Sequence, residues 1–393
     1  MRMRRFFRTF EIRYFDFMLV ILVVVLNCIG ITTIGLAAPE LKSRQIAGMI
    51  LGLALMVFVS GQDYKKVIQY NWVYYGLCLF VLALVLSPLG STGGGAQRWI
   101  RLGPVTFQPS EAAKILLILF YAKFIMKYRN HMKSLGMVAI CTVLLAPPLL
   151  LILKQPDLST SIMIFFTFAV MMFVGGMSLR LAGTILAVTV PAAVIVVNLV
   201  VQGVSFIPEY QRNRILSWLH PEDYATSYAY QTMNSIMAIG SGQLMGKGKD
   251  VNGFTSLLNS GYIAESQTDF IFTVVGEEFG FIGTCSVVIL LVLIAIRCYM
   301  IAKDATDLAG AVIASGVGTW VGFQGFLNIA VATGVLPNTG IPLPFVSYGL
   351  TSLLSLYMGI GFVLNVRMQN KRPGSKNVHT EFGGANEYSA YRT

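Results

Sequence analysis

The sequence predicts an all-α, polytopic membrane protein with about ten transmembrane helices and a large extracellular loop between the seventh and the eighth. Three observations carry this. Hydrophobic residues make up 55% of the chain and charged residues only 12%, against roughly 25% charged in soluble proteins. The apolar residues come in runs of about 20, the length of a helix that crosses a bilayer core, where backbone polar groups must be satisfied within the segment. Lys and Arg gather on alternate sides of those runs, the bias that sets orientation.

The elements follow in order. The basic start, MRMRRFFRTFEIR, precedes an apolar run from about Phe17 to Ala38. That run exceeds the roughly 7–15 residues of a signal-peptide core, so it reads as an uncleaved first span. Spans are expected at 16–38, 46–61, 72–88, 109–127, 136–153, 158–176, 180–201, 270–297, 309–335 and 344–366. Pro147 and Pro148 interrupt the fifth. An even number places both termini on one side. With that side cytoplasmic, inner segments hold about 19 Lys and Arg and outer segments about 9. The inner set includes Arg2, Arg4, Arg5, Arg8, Lys65, Lys66, Lys127, Arg129, Lys133, Arg297 and Lys303.

Two outer segments stand out. One is the Gly-rich stretch at 89–108. The other, 202–269, is too long for a plain connection and too aromatic for a linker; short amphipathic helices at the membrane surface are expected there. Residues 1–367 form one transmembrane domain, and 368–393, polar and rich in Gly, Asn and Ser, a disordered cytoplasmic tail. No internal repeat is evident.

The net charge of +11 is scattered over short loops, which fits a positive-inside bias and not nucleic-acid binding. The five cysteines, Cys28, Cys78, Cys141, Cys285 and Cys298, lie in or at the inner ends of apolar runs, so no disulfide is expected. No Cys/His metal spacing, P-loop or dinucleotide fingerprint is present; the Gly cluster AIGSGQLMGKG lacks the strand–turn–helix setting.

Ionisable groups within spans are costly and therefore mark candidate sites. Glu111 and Lys114, in QPSEAAK, are spaced to pair on one helix face; the pair is either structural or a lysine aimed at an anionic head group. Asp157, in KQPDLSTS, either caps the sixth span or takes part in chemistry. Asp269 stands where the large loop enters the eighth span, near Glu265 and ahead of Glu277 and Glu278. It is either a charge favoured by the helix dipole or a reactive carboxylate. The double carboxylate two turns deeper needs partners from other elements or a polar cavity. Outer basic residues Arg98, Arg101, Arg212, Arg214, Lys247 and Lys249 are either solvated loop charges or, as a set, suited to a diphosphate.

Taken together, GAQRWIRLGPVTFQPSEAAK, KQPDLSTS, YQRNRI, AIGSGQLMGKG, QTDFIFTVVGEEFG and GVLPNTGIPLPFVSYG, in this order, resemble the SEDS family (RodA, FtsW, SpoVE), with the GKG block followed by NGFTSL nearer to RodA. The resemblance implies a ten-span, inverting peptidoglycan glycosyltransferase. Such an enzyme polymerises lipid II at the outer face of the cytoplasmic membrane for cell-wall elongation and shape. It also implies undecaprenyl-diphosphate-linked glycan as the second substrate form and a class B penicillin-binding protein as partner. The family's catalytic Asp maps onto Asp269, its Glu and Lys onto Glu111 and Lys114, and the Asp of its Gln-Pro-Asp block onto Asp157. Ser347 lies in the last matching block. Gln267, Ala264 and Leu350 depart from the family's His, Pro and Gly.

One general base suffices for the reaction, because a lipid diphosphate leaves without protonation. Asp269 is assigned that role, with Lys114, Arg98, Arg212 and Arg214 offsetting charge on the leaving group. No cofactor is demanded; a divalent cation, Mg or Mn, is compatible, although no ligand cluster calls for one. Two rivals are a lipid II flippase, which should carry broken helices in matched halves, and a scaffold without activity.

Overall fold

The computed structural model describes residues 14–93, 96–103, 105–202, 209–248 and 266–369. Each of the ten expected spans meets a helix: α1 (Phe17–Ala37), α2 (Lys42–Ser60), α3 (Asn71–Val85), α4 (Pro109–Lys127), α5 (Leu135–Lys154), α6 (Leu158–Val174) and α7 (Leu179–Val201), and then, after two loop helices α8 (Glu209–Leu219) and α9 (Tyr230–Ser241), α10 (Ile271–Lys303), α11 (Leu308–Ala332) and α12 (Leu350–Gln369). Seven, some with an adjoining turn, are long and apolar enough to cross a membrane. α4 has the length but carries Glu111, Lys114, Lys123 and Lys127.

Helix starts are set by local chemistry. Asp16 accepts from Leu19 N to cap α1 (3.1 Å), Ser178 from Leu181 N to cap α7, and Asp307 from Gly310 N to cap α11 (2.8 Å). Pro109 fills the first position of α4, where no backbone donor is needed.

α11 is the axis of the bundle. It is buried along most of its length and packs against α10, α6, α4 and α12. Its small residues permit this: Gly316 abuts Met171 and Ile118, and Gly318 abuts Cys298, the close approach on which helices rely in lipid. α12 lies along α2, and α1 along α10.

The expected interruption of the fifth span is absent: α5 runs unbroken through Pro147 and Pro148. Proline at 148 deprives the Leu144 carbonyl of its helical donor, and the Tyr75 hydroxyl on α3 supplies one at 2.8 Å. The break lies in α10, at Gly280 (φ 63°, ψ −157°). There the Glu277 and Glu278 carbonyls accept from Lys247 N and Gly248 N, while Phe281 N and Ile282 N donate to the Gln243 and Leu244 carbonyls. The turn after α9 is thus spliced into the broken helix. A Cβ at Gly280 would stand 2.3 Å from Gly246 N, so only glycine fits.

The Gly-rich stretch folds into a small antiparallel meander, β1 (Gly90–Gly93), β2 (Ala96–Leu102) and β3 (Val105–Phe107). The last span begins at Leu350 and not near 344, because Pro342, Pro344 and the positive φ of Phe345 (62°) hold 338–349 out of helix. Helix continues to Gln369, past the expected start of the tail; 370–393 lie outside the described residues. All five cysteines are unbridged.

Candidate active site

The irregular segment 338–349 gathers one end of the bundle. Ser159, at the start of α6, donates to the Thr339 carbonyl (2.6 Å), and Tyr348 N donates to the Gln267 carbonyl (2.9 Å). The Ser347 hydroxyl donates to the Thr268 carbonyl (2.6 Å) and accepts from Leu343 N (2.7 Å). The turn entering α10 and the turn entering α12 are therefore stitched together, with Asp269 between them.

Asp269 is half-buried. It is not the cap of α10: that helix starts at Ile271 with Phe270 in the cap position. Its side chain faces Gly340, where a Cβ would sit 3.2 Å from Oδ2, on a backbone of φ 68°. Gly340 thus keeps the space beside the carboxylate open and adopts a turn that other residues disfavour. The Asp269 carbonyl accepts from Asn328 Nδ2 at 2.7 Å.

One turn along α11, Gln324 accepts from Lys114 Nζ (2.8 Å) and from Trp320 Nε1 (2.7 Å), and donates to the Pro342 carbonyl (2.8 Å). Lys114 pairs with Glu111 at 2.7 Å and lies 5.0 Å from the Trp320 ring centroid. Both side chains of the ion pair are almost wholly buried (3% and 2% exposed). Lys114 is thus held among protein groups, and with Tyr121, Leu145, Phe168 and Trp320 it lines a small cavity. Glu111 Oε2 has no hydrogen-bond partner among the described residues.

A family model described as cell cycle protein, covering FtsW, RodA and SpoVE, matches residues 8–372. This chain belongs to that family. Among FtsW/RodA/SpoVE proteins, it is 36% identical over 334 residues to the peptidoglycan glycosyltransferase MrdB of Escherichia coli K12 (84% of this chain, 86% of that one). It is 33% identical over 375 residues to the probable peptidoglycan glycosyltransferase FtsW of Geobacter sulfurreducens (92% and 97%). Stage V sporulation protein E of Bacillus subtilis is 33% identical over 365 residues (89% and 96%). Among solved structures, a chain from a study of how a peptidoglycan synthase complex coordinates polymerization and crosslinking superposes with a TM-score of 0.74 at 30% identity, covering 91% of this chain and 99% of that one. RodA of Thermus thermophilus superposes with a TM-score of 0.66 at 29% identity, covering 91% and 98%.

Within this family fold the candidate residues separate into distinct settings. Asp157 caps α6: Oδ1 accepts from Thr160 N (3.2 Å) and Oδ2 from the Thr160 hydroxyl (2.8 Å), at 2% exposure. Arg98 is spent on the Gln155 carbonyl (3.2 Å) and the Pro156 carbonyl, joining the β meander to the α5–α6 turn. Lys247 pairs with the fully buried Glu277 at 2.9 Å, supplying a partner for the deeper of the two carboxylates by burial. Ser347 is a stitch between two turns. Arg101 is exposed.

Arg212 and Arg214 lie on α8, and Arg214 lines a cavity of about 350 Å³ with Trp218, Tyr228, Met233 and Asn338. The Trp218 indole donates to the Gly334 carbonyl (3.1 Å), anchoring α8 to the segment that leads to Gly340. Glu265 and Lys249 lie outside the described residues. Among the described residues no three His, Cys, Asp or Glu side chains cluster to hold a metal ion.

Sequence reasoning missed Trp320, Gln324, Asn328 and Gly340. Gln324 and Asn328 carried a signal: two amides four apart inside an apolar run, GTWVGFQGFLNIAVA. A search confined to ionisable side chains passes over them.

Proposed function

We propose that this protein is a peptidoglycan glycosyltransferase that polymerises lipid II at the outer face of the cytoplasmic membrane, with Asp269 as general base. The observation that carries the reading is the setting of Asp269: a half-buried carboxylate beside Gly340, on a turn fixed by Asn328, Ser347 and Tyr348. It stands one residue before the helix cap, Phe270.

In this reaction the acceptor sugar's 4-hydroxyl attacks the anomeric carbon of the lipid-linked donor. Asp269 takes the hydroxyl proton, the new glycosidic bond forms, and the lipid diphosphate leaves with the bonding electrons. A single displacement turns an α-linked donor into a β-linked product. Arg212 and Arg214 are the cations assigned to the leaving diphosphate, since both lie on α8 and Arg214 lines the cavity there. The cavity beside Arg214 shares the 334–340 wall with Asp269, and Trp218 and Tyr228 offer faces on which a sugar ring can stack.

Both termini are assigned to the cytoplasm on the Lys and Arg bias, which puts Asp269 and the α8–α9 segment outside. Residues 1–367 act as one membrane domain in cell-wall elongation. A class B penicillin-binding protein is the partner this reading calls for, in line with the synthase complex among the structural relatives.

The flippase alternative draws on one feature, the broken helix α10. A matched break in another half of the chain is not seen among the described residues. Purified protein given lipid II decides: lengthening of glycan strands supports the enzyme, and transbilayer movement of lipid II without lengthening supports the flippase.

A further inference from the structure

We infer that Asn328 and Gln324 are positioning residues of the transfer reaction, two amides on α11 that lock the backbone just after Gly340 against Asp269 and Lys114. The inference rests on the reading of Asp269 as the base.

The donor and acceptor chemistry leaves each amide one orientation. Lysine and indole nitrogens only donate, and carbonyl oxygens only accept. Gln324 must therefore turn Oε1 toward Lys114 Nζ and Trp320 Nε1, and Nε2 toward the Pro342 carbonyl. Asn328 must turn Nδ2 toward the carbonyls of Asp269 and Ile341, both at 2.7 Å. Neither amide can flip without facing donor to donor or acceptor to acceptor. Both residues are essentially unexposed, at 0% and 1%, so water does not compete for these bonds.

Four residues apart, the two side chains share one face of the same helix. They hold adjacent carbonyls, Ile341 and Pro342, of a segment that has no regular secondary structure. Gly340, whose open side faces Asp269 Oδ2, immediately precedes those carbonyls. Asn328 thus fixes both the backbone of the base and the backbone that forms the opposite wall of its niche, from one nitrogen. Gln324 ties the same wall to the Lys114–Glu111 pair. Neither amide needs to touch substrate; both set where the base stands. Small displacements of a reacting group, on the order of 1 Å, cost about 100-fold in rate.

The test is steady-state polymerisation of lipid II by full-length protein in detergent, with the folded fraction measured by size exclusion. Asn328→Ala and the isosteric Asn328→Asp should each lower kcat about 10- to 100-fold with KM changed less than about 3-fold, because the base moves while substrate contacts stay. Gln324→Met should lower kcat similarly. Since the two amides hold one segment, the Gln324→Met/Asn328→Ala double variant should fall little below the worse single variant. Thermal destabilisation with normal kcat per folded molecule in the Asn328 variants would overturn the inference, as would fully multiplicative losses. Asp269→Asn measured alongside separates the two claims. Normal turnover there removes the base itself; an inert Asp269→Asn beside normal Asn328 variants removes only the positioning role. If Asn328→Ala fails to fold, Asn328→Asp and Gln324→Met carry the same test.

Discussion

Two lysine–carboxylate pairs sit in this bundle at nearly equal length, Lys114–Glu111 at 2.7 Å and Lys247–Glu277 at 2.9 Å, yet they serve different structures. The first joins residues one turn apart on α4, is almost wholly buried, and continues through Gln324 into the wall facing Asp269. The second joins a loop to a broken helix, keeps its lysine partly solvated at 17% exposure, and is backed by four backbone hydrogen bonds around Gly280. The lesson is that a charge inside an apolar run marks a site only once its connections are known. One pair leads to the wall beside Asp269; the other splices a loop into the helix that begins beside it.

Removing one partner of each pair should sharpen this contrast. Lys114→Ala strands Glu111, which is buried and already has one oxygen unpartnered; a loss of about 3–5 kcal/mol is expected, read as a collapse of folded yield in membranes. The double variant Glu111→Leu/Lys114→Met removes both charges and should restore much of that yield. It should still polymerise poorly, because the anchor on Gln324 is gone. A well-folded, fully active double variant would reduce the pair to a structural role. Next in size is Gly280→Ala, which forces a side chain into a glycine-only backbone region and against Gly246 N; roughly 1–3 kcal/mol is expected from the backbone strain alone, visible as a lowered melting temperature. Lys247→Ala should cost less than Lys114→Ala, since water reaches the vacated position and the backbone splice persists. Equal losses for the two lysine variants would break the comparison.

The smallest effect concerns binding. Arg214→Ala should raise KM for lipid II several-fold, up to about 10-fold, with kcat and folding little changed, as expected for a cation that holds a phosphate. An unchanged KM would move the diphosphate elsewhere, with Arg212 and Arg101 the next to examine.

Much of the fold could be read from the sequence because its signal is local. Runs of apolar residues place ten helices, and Asp157 announces the start of one of them. What escaped depends on contacts between distant segments. Three glycines, Gly276, Gly280 and Gly283, stand within about two turns, and only the strand of loop beside Gly280 decides which of them breaks α10. Pro147 and Pro148 suggested a break that the Tyr75 hydroxyl helps α5 to avoid. At the site, charge within apolar runs pointed to Asp269, Glu111 and Lys114. Asp157 carried the same signal but went to a helix cap, and the outer Arg98 went to carbonyls, distinctions visible only in tertiary structure. Gln324 and Asn328, being neutral, did not register, although they hold the turns around Asp269.

The most direct test of the account is lipid II polymerisation by Asp269→Asn. The change keeps the shape of the side chain and the backbone carbonyl that Asn328 holds, and removes only the basic oxygen. Normal folded yield with polymerisation lowered about 100-fold or more is the expected result. A well-folded Asp269→Asn protein that lengthens glycan strands at the normal rate would contradict the assignment of Asp269 as the base.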